Sequence, residues 1–230
     1  MTEFILEGET PVRVSLRRSA QARRLSLRVS RLDGRVTLTM PRHVPEREAV
    51  AFVREKEVWV RRQLDRQVAV RRPAFGVTIP VLGAPLEIIQ GAGRGARMEA
   101  GCLVVPGGED MLMARITAYL KLQARTRLRQ ASDSYAAALG VSFGKITLRD
   151  TRSRWGSCTS DGNLMYSWRL VMAPEAVLDY VAAHEVAHLL EMNHSPAYWA
   201  HVARVCPQYR QHRDWLRVHG QELHAWDFSH

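Results

Sequence analysis

The sequence predicts an α+β fold in two halves. An amino-terminal antiparallel β-rich half with one long helix is followed by a carboxy-terminal half of long helix, short antiparallel strands and a histidine-bearing helix. Three observations predict this. Apolar residues recur at period two through the first third, at helical spacing after residue 109, and the segment HEVAHLLEMNH (184–194) joins a helical pattern to a break.

VRVSLR (12–17), LSLRVS (25–30) and VTLTM (36–40) alternate as half-buried strands do, and LDGR (32–35) supplies Asp-Gly turn chemistry between the last two. Ala49, Phe52, Val53, Trp59, Val60 and Leu64 then recur at helical spacing, with Pro45 at the start and Glu46 and Glu48 in the first turn. A helix is expected over about 45–68. FGVTIPVLG (75–83), APLEIIQ (84–90) and CLVVP (102–106) read as further strands. GAGRGA (91–96) lacks the GxGxxG order and the following helix of a phosphate cradle, so it reads as a hairpin loop.

PGGED (106–110) is the candidate boundary, which divides the chain into domains 1–108 and 109–230. Beyond it a long amphipathic helix runs to Gly140, a residue suited to the left-handed helix end. KITLRD (145–150) and NLMYSWRLV (163–171) read as strands on either side of TRSRWGSCTSDG. A helix is expected over about 175–192. Ser195-Pro196 caps a new helix at once, and another covers 209–224. No internal repeat is evident.

The 230 residues suffice for one large or two small domains, and 46% hydrophobic content argues against disorder. No apolar run approaches the roughly 18 residues of a membrane span. The start MTEFILEGETPVRV lacks the basic region of a secretory signal. Cys102, Cys158 and Cys206 are odd in number and scattered, which suggests free thiols in a reducing compartment, so a cytoplasmic location is expected. The net charge of +10 is carried almost entirely by arginine, since only Lys56, Lys121 and Lys145 are lysines. Arginine-favouring codons account for this as well as an anionic partner such as a nucleotide or nucleic acid does.

On a helix, His184 and His188 lie about 400 degrees of rotation apart and share a face, one turn from each other. Two such imidazoles can hold one metal ion, and Glu185 can reach a water bound to it. His194 cannot share that face. It joins the site only if the chain turns back after Met192, and Asn193 tolerates the left-handed conformation that would make the turn. A zinc ion on three neutral imidazoles keeps one position for water and lowers its pKa toward about 7, and Glu185 would serve as general base for peptide hydrolysis. Asp179 or a backbone carbonyl could orient the imidazoles. Arg152 and Arg154 could bind a substrate anion. Trp155 and Gly156 could lie on a strand edge bordering the cleft, where an extended peptide could pair, or Trp155 fills the core beneath the metal helix. Tyr198 and His201 are candidates to stabilise an oxyanion, and Cys158 is a buried thiol or a fourth ligand.

The histidine offsets zero, four and ten match those of metzincins, but Glu191 stands where that pattern has glycine. RSRWGSC (152–158), LDYVAAHEVAHLLEMNHSPAYW (178–199) and PQY (207–209) instead resemble the YgjP-like metal-dependent hydrolase family, related to SprT-like and Wss1-like zincins. The resemblance spans most of the chain, including the REKEVWV helix. It implies a zincin-like carboxy-terminal half, one zinc held by His184, His188 and His194, and Glu185 as catalytic acid/base. Gluzincins differ in taking a carboxylate as third ligand.

The leading expectation is therefore a zinc metallopeptidase with a peptide or protein substrate and no membrane association. A metal-dependent nucleotide pyrophosphatase is the alternative that the arginines motivate, although carboxylate ligands and magnesium would suit it better. The third is a nucleic-acid-associated protein, either a peptidase acting on DNA-bound proteins or a binder with a structural zinc closed by Cys158.

Overall fold

A computed structural model describes residues 2–30, 33–65 and 68–229. Leu32 of the expected turn and Arg66 and Gln67 of the expected 45–68 helix lie outside the described residues. The protein is a mixed α+β structure that divides into two compact units, Met1–Val70 and Arg71–His230.

The first unit holds β1 (Thr2–Leu6), β2 (Val12–Ser19), β3 (Ser26–Val29) and β4 (Val36–Pro41) in one sheet, ordered β1-β2-β4-β3. The expected antiparallel sheet is in fact mixed, because β2 and β4 run parallel. β4 turns back on β3 through Gly34, whose φ of 66° needs a residue without a Cβ, and so returns along β2 in the same direction. Val12, Val14 and Leu16 of β2 and Val36, Leu38 and Met40 of β4 all face one core, which selects this register. The single long helix expected here is two, α1 (Glu46–Glu55) and α2 (Glu57–Leu64), broken at Lys56 with φ −93° and ψ 10°. Ala49, Val53 and Val60 are buried, whereas Val58 and Trp59 face solvent.

The second unit repeats the same strand order. β5 (Thr78–Val81), β6 (Ala84–Gly91), β7 (Arg97–Glu99) and β8 (Cys102–Pro106) form a sheet ordered β5-β6-β8-β7, with β6 and β8 parallel. GAGRGA therefore links β6 to β7, which are not neighbours, rather than closing a hairpin. PGGED leads β8 straight into α3 (Glu109–Leu139), and both pack on one core, so the division falls near residue 70 and not at 108. α3 buries Leu112, Ile116, Leu120, Ala124 and Leu128 along one stripe and ends where Gly140 adopts φ 70°.

β9 (Ile146–Arg149), β10 (Gly156–Cys158) and β11 (Leu164–Ser167) form a third sheet ordered β10-β11-β9, again mixed because β9 and β11 are parallel. The expected strand 163–171 stops at Ser167 and continues as a 3-10 helix, Trp168–Met172, with every residue buried. An apolar run buried on all sides carries no alternation to tell strand from helix. Three helices follow: α4 (Glu175–Ala187), α5 (Pro196–Val205) and α6 (Tyr209–His224). Among the described residues no helix is long and apolar enough to cross a membrane.

Candidate metal centre

α4 is apolar almost all round and sits inside the second core, which fixes the orientation of whatever polar groups it carries. It ends five residues before the expected 192, with His188 as its C-terminal cap. Tight turns follow, in which Leu189 N–H donates to Val186 O at 3.0 Å and Leu190 N–H to Ala187 O at 3.1 Å. The reversal does not use a left-handed Asn193, since the described non-glycine residues with positive φ are Leu82 and Ala100. Instead Asn193 Oδ1 accepts a hydrogen bond from Ser195 N–H at 2.9 Å, and Ser195 Oγ caps α5 by accepting from Tyr198 N–H at 3.2 Å.

The turn brings His194 back over α4. One ring nitrogen from each of His184, His188 and His194 lies within 4.8 Å of the others, and the Nε2 atoms of His184 and His194 are 3.3 Å apart. Tetrahedral zinc with bonds of about 2.0–2.1 Å places its ligand nitrogens roughly 3.3–3.4 Å from one another, the spacing of the His184–His194 pair, and three imidazoles are a donor set zinc accepts. His188 Nδ1 contacts Glu191 O at 2.9 Å, and donation there leaves Nε2 for the centre. Position 191 contributes this carbonyl and needs no glycine, because its φ is not positive. Burial, the His188 and His194 rings and Arg213 together hold His184 down at about 3, so it is neutral and able to ligate at pH 7. Burial lowers His188 as well.

Glu185 is 5% exposed. Burial pushes its carboxyl up to about 8, against the opposing pull of Arg154. Its side chain lies directly over the Cα of Gly156 on β10. A Cβ there would stand 2.6 Å from Glu185 Cγ and 2.7 Å from Cδ. β10 is an edge strand, paired on one side only with β11. Two adjoining hollows, of about 480 and 350 Å³, share Arg154, Gly156, His184 and Glu185. The first contains the histidine triad. The second is walled by Trp155, Tyr180 and Leu216 and rimmed by Arg213 and Arg217.

A family model, the YgjP-like metallopeptidase domain, matches residues 23–219. The chain belongs to the YgjP-like family. It is a metallopeptidase by that membership, with three histidines able to hold a metal ion. The crystal structure of the zymogen of abylysin, a metallopeptidase of Pyrococcus abyssi, is similar at 19% identity and a TM-score of 0.37, over 41% of this chain and 93% of that one. No curated protein matches the chain.

Several supporting residues of this YgjP-like chain stand elsewhere than the sequence suggests. Tyr198 is fully buried, its ring stacked on His188 at 4.4 Å and its hydroxyl donating to His184 O at 3.0 Å, so it buttresses the triad and has no free donor for an oxyanion. His201 is not among the rings packed on His184. Asp179 does not reach the triad either. It borders a separate hollow with Arg127 and Tyr135, while His184 Nδ1 is buried with no partner among the described residues. Cys158 lines the metal hollow but is outside the ligand cluster, and burial with the Glu185 charge pushes its thiol up to about 11. Among the described residues the convergent donors are the three histidines.

Arg154 lines both hollows, whereas the exposed Arg152 lines neither and acts on His224. Trp155 is half-buried and packs against α6 at Gly220. It stacks on His224 at 4.7 Å and walls the smaller hollow. Tyr180, Arg213 and Arg217 were not legible as site residues, because only the fold brings α6 against α4.

Proposed function

We propose that this metallopeptidase uses one zinc ion held by His184, His188 and His194, with Glu185 as general base, to hydrolyse peptide bonds. The observation that supports this reading most is the buried Glu185 carboxyl beside the convergent imidazoles, in a cleft bordered by an open strand edge. A zinc ion there would supply Lewis-acid polarisation of the scissile carbonyl and a lowered pKa for water. The nearby cation would also favour the ionised form of Glu185, opposing the effect of burial. Glu185 would then take the proton of the attacking water and return it to the departing amine. An extended peptide would align by pairing its backbone with the free edge of β10, which presents Gly156–Cys158 alongside the cleft.

Three imidazole ligands suit zinc and not the oxygen-preferring magnesium of a nucleotide pyrophosphatase, and no observation favours a nucleic-acid partner. A cytoplasmic setting is proposed only on the three free cysteines.

Wild-type protein and Glu185→Gln, each loaded with zinc, would be assayed against casein, nucleoside triphosphates and single-stranded DNA. Casein hydrolysis should fall by roughly 100- to 10,000-fold in the variant with zinc content unchanged. Full activity in Glu185→Gln removes it from the mechanism, and phosphate release lost in the variant reinstates the pyrophosphatase.

A further inference from the structure

The smaller hollow beside Glu185 has an uneven charge. Its walls are Trp155, Tyr180 and Leu216, and three guanidinium groups, Arg154, Arg213 and Arg217, surround it. Glu185 is the one carboxylate among its lining residues. Arg213 lies over the Trp199 ring at 5.3 Å, and that indole packs 5.9 Å from His184 and 5.8 Å from His194, so the cation is held close to the triad. Among the described residues Arg217 pairs only with Asp214, at 3.5 Å on the surface, a weak and screened contact that leaves its donors available. Cations gathered on an aromatic-walled pocket suit a ligand with a short carbon stem and a planar anionic end, because the guanidinium fork matches a carboxylate. The hollow's volume of about 350 Å³ has room for such a group.

We propose that this hollow is a specificity pocket for a substrate carboxylate next to the cleaved bond, either a glutamate or aspartate side chain or the substrate's own carboxyl terminus. The inference rests on the peptidase reading above and names its substrate class. Arg213 and Arg217 receive the carboxylate, and the aromatic walls hold its methylene stem. Arg154, shared by both hollows, screens it from Glu185.

Short alanine-based peptides carrying Glu, Gln, Lys or Leu at each position in turn would test this, with amidated and free carboxyl termini compared. With zinc-loaded wild type, Glu should exceed Gln in kcat/KM by about tenfold or more at one position beside the cleavage point, or a free terminus should exceed an amidated one by as much. The paired substitution Arg213→Glu and Arg217→Glu, both on exposed side chains, should erase that preference and favour Lys at the same position. Equal rates for Glu, Gln and Lys everywhere and for both termini, or a preference unmoved by charge reversal, overturns the pocket while the peptidase stands. Calorimetry of uncleaved peptides on Glu185→Gln separates the two ideas. Tighter binding of the carboxylate peptides there, lost on charge reversal, keeps the pocket even if wild type cleaves nothing. Binding that ignores the carboxylate, with no cleavage, removes both.

Discussion

The Glu185 side chain rests on the bare Cα of Gly156, at a distance no Cβ could tolerate. The two residues lie 29 apart in sequence, on β10 and α4, and the glycine's missing side chain sets where the carboxylate stands. In Gly156→Ala the carboxylate must swing away from the triad. The expected outcome is a fall in kcat of about 100-fold, since displacement of a catalytic group by an ångström has that scale of effect. Zinc content should not change. Kinetics paired with elemental analysis checks both, and near-wild-type kcat would show that Glu185 needs no such seat.

Tyr198→Phe keeps the ring stacked on His188 and removes only the hydrogen bond to His184 O. Stability should drop by about 1 kcal/mol, and activity should stay within a few-fold. Loss of an oxyanion donor would instead cost roughly 100- to 1,000-fold in kcat. A drop of that size returns Tyr198 to the chemistry.

His194 is the exposed member of the triad and comes from outside α4. At zinc concentrations 100 times Kd, binding should stabilise the protein by about 2.7 kcal/mol, which raises Tm by roughly 5–10 °C in a unit of this size. Chelator treatment should reverse the shift. His194→Ala should lose most of it at the same zinc concentration, as differential scanning calorimetry would register. An unaltered shift would place the ion elsewhere.

His224, stacked on Trp155, is held down to about 4 by burial first, then by Arg169 and Arg152, with Asp150 opposing. An unfolded chain protonates this histidine near pH 6.5, while the native one resists until about 4. Stability contributed here is full above 6.5 and declines as pH falls through that window, by roughly 2–3 kcal/mol. His224→Phe preserves the stacking and should make metal-free protein less sensitive to acid. Urea midpoints at pH 7 and 4.5 measure it, and equal acid losses in both proteins would rule the histidine out.

Features set by neighbours in sequence were the legible ones. The triad spacing, the Ser195-Pro196 cap, Gly140 and the bounds of α6 all depend on residues within one or two turns. What escaped depends on distance along the chain. Lys56 breaks a helix with neither glycine nor proline to announce it, and the parallel pairs β2/β4, β6/β8 and β9/β11 leave no mark in alternation. Asp179 looked suitable by proximity in sequence, yet five residues of helix turn it to another face. Arg213 and Arg217 are two of many arginines until α6 packs beside α4.

A three-residue border strand left open beside a cleft is also a place where copies of the molecule could adhere to each other. Its brevity limits how many rungs an unwanted partner could gain, and the net charge of +10, with the solvent-facing Arg152 and Arg154 just upstream, makes two copies repel each other. The cationic surroundings of β10 thereby act as gatekeepers against aggregation.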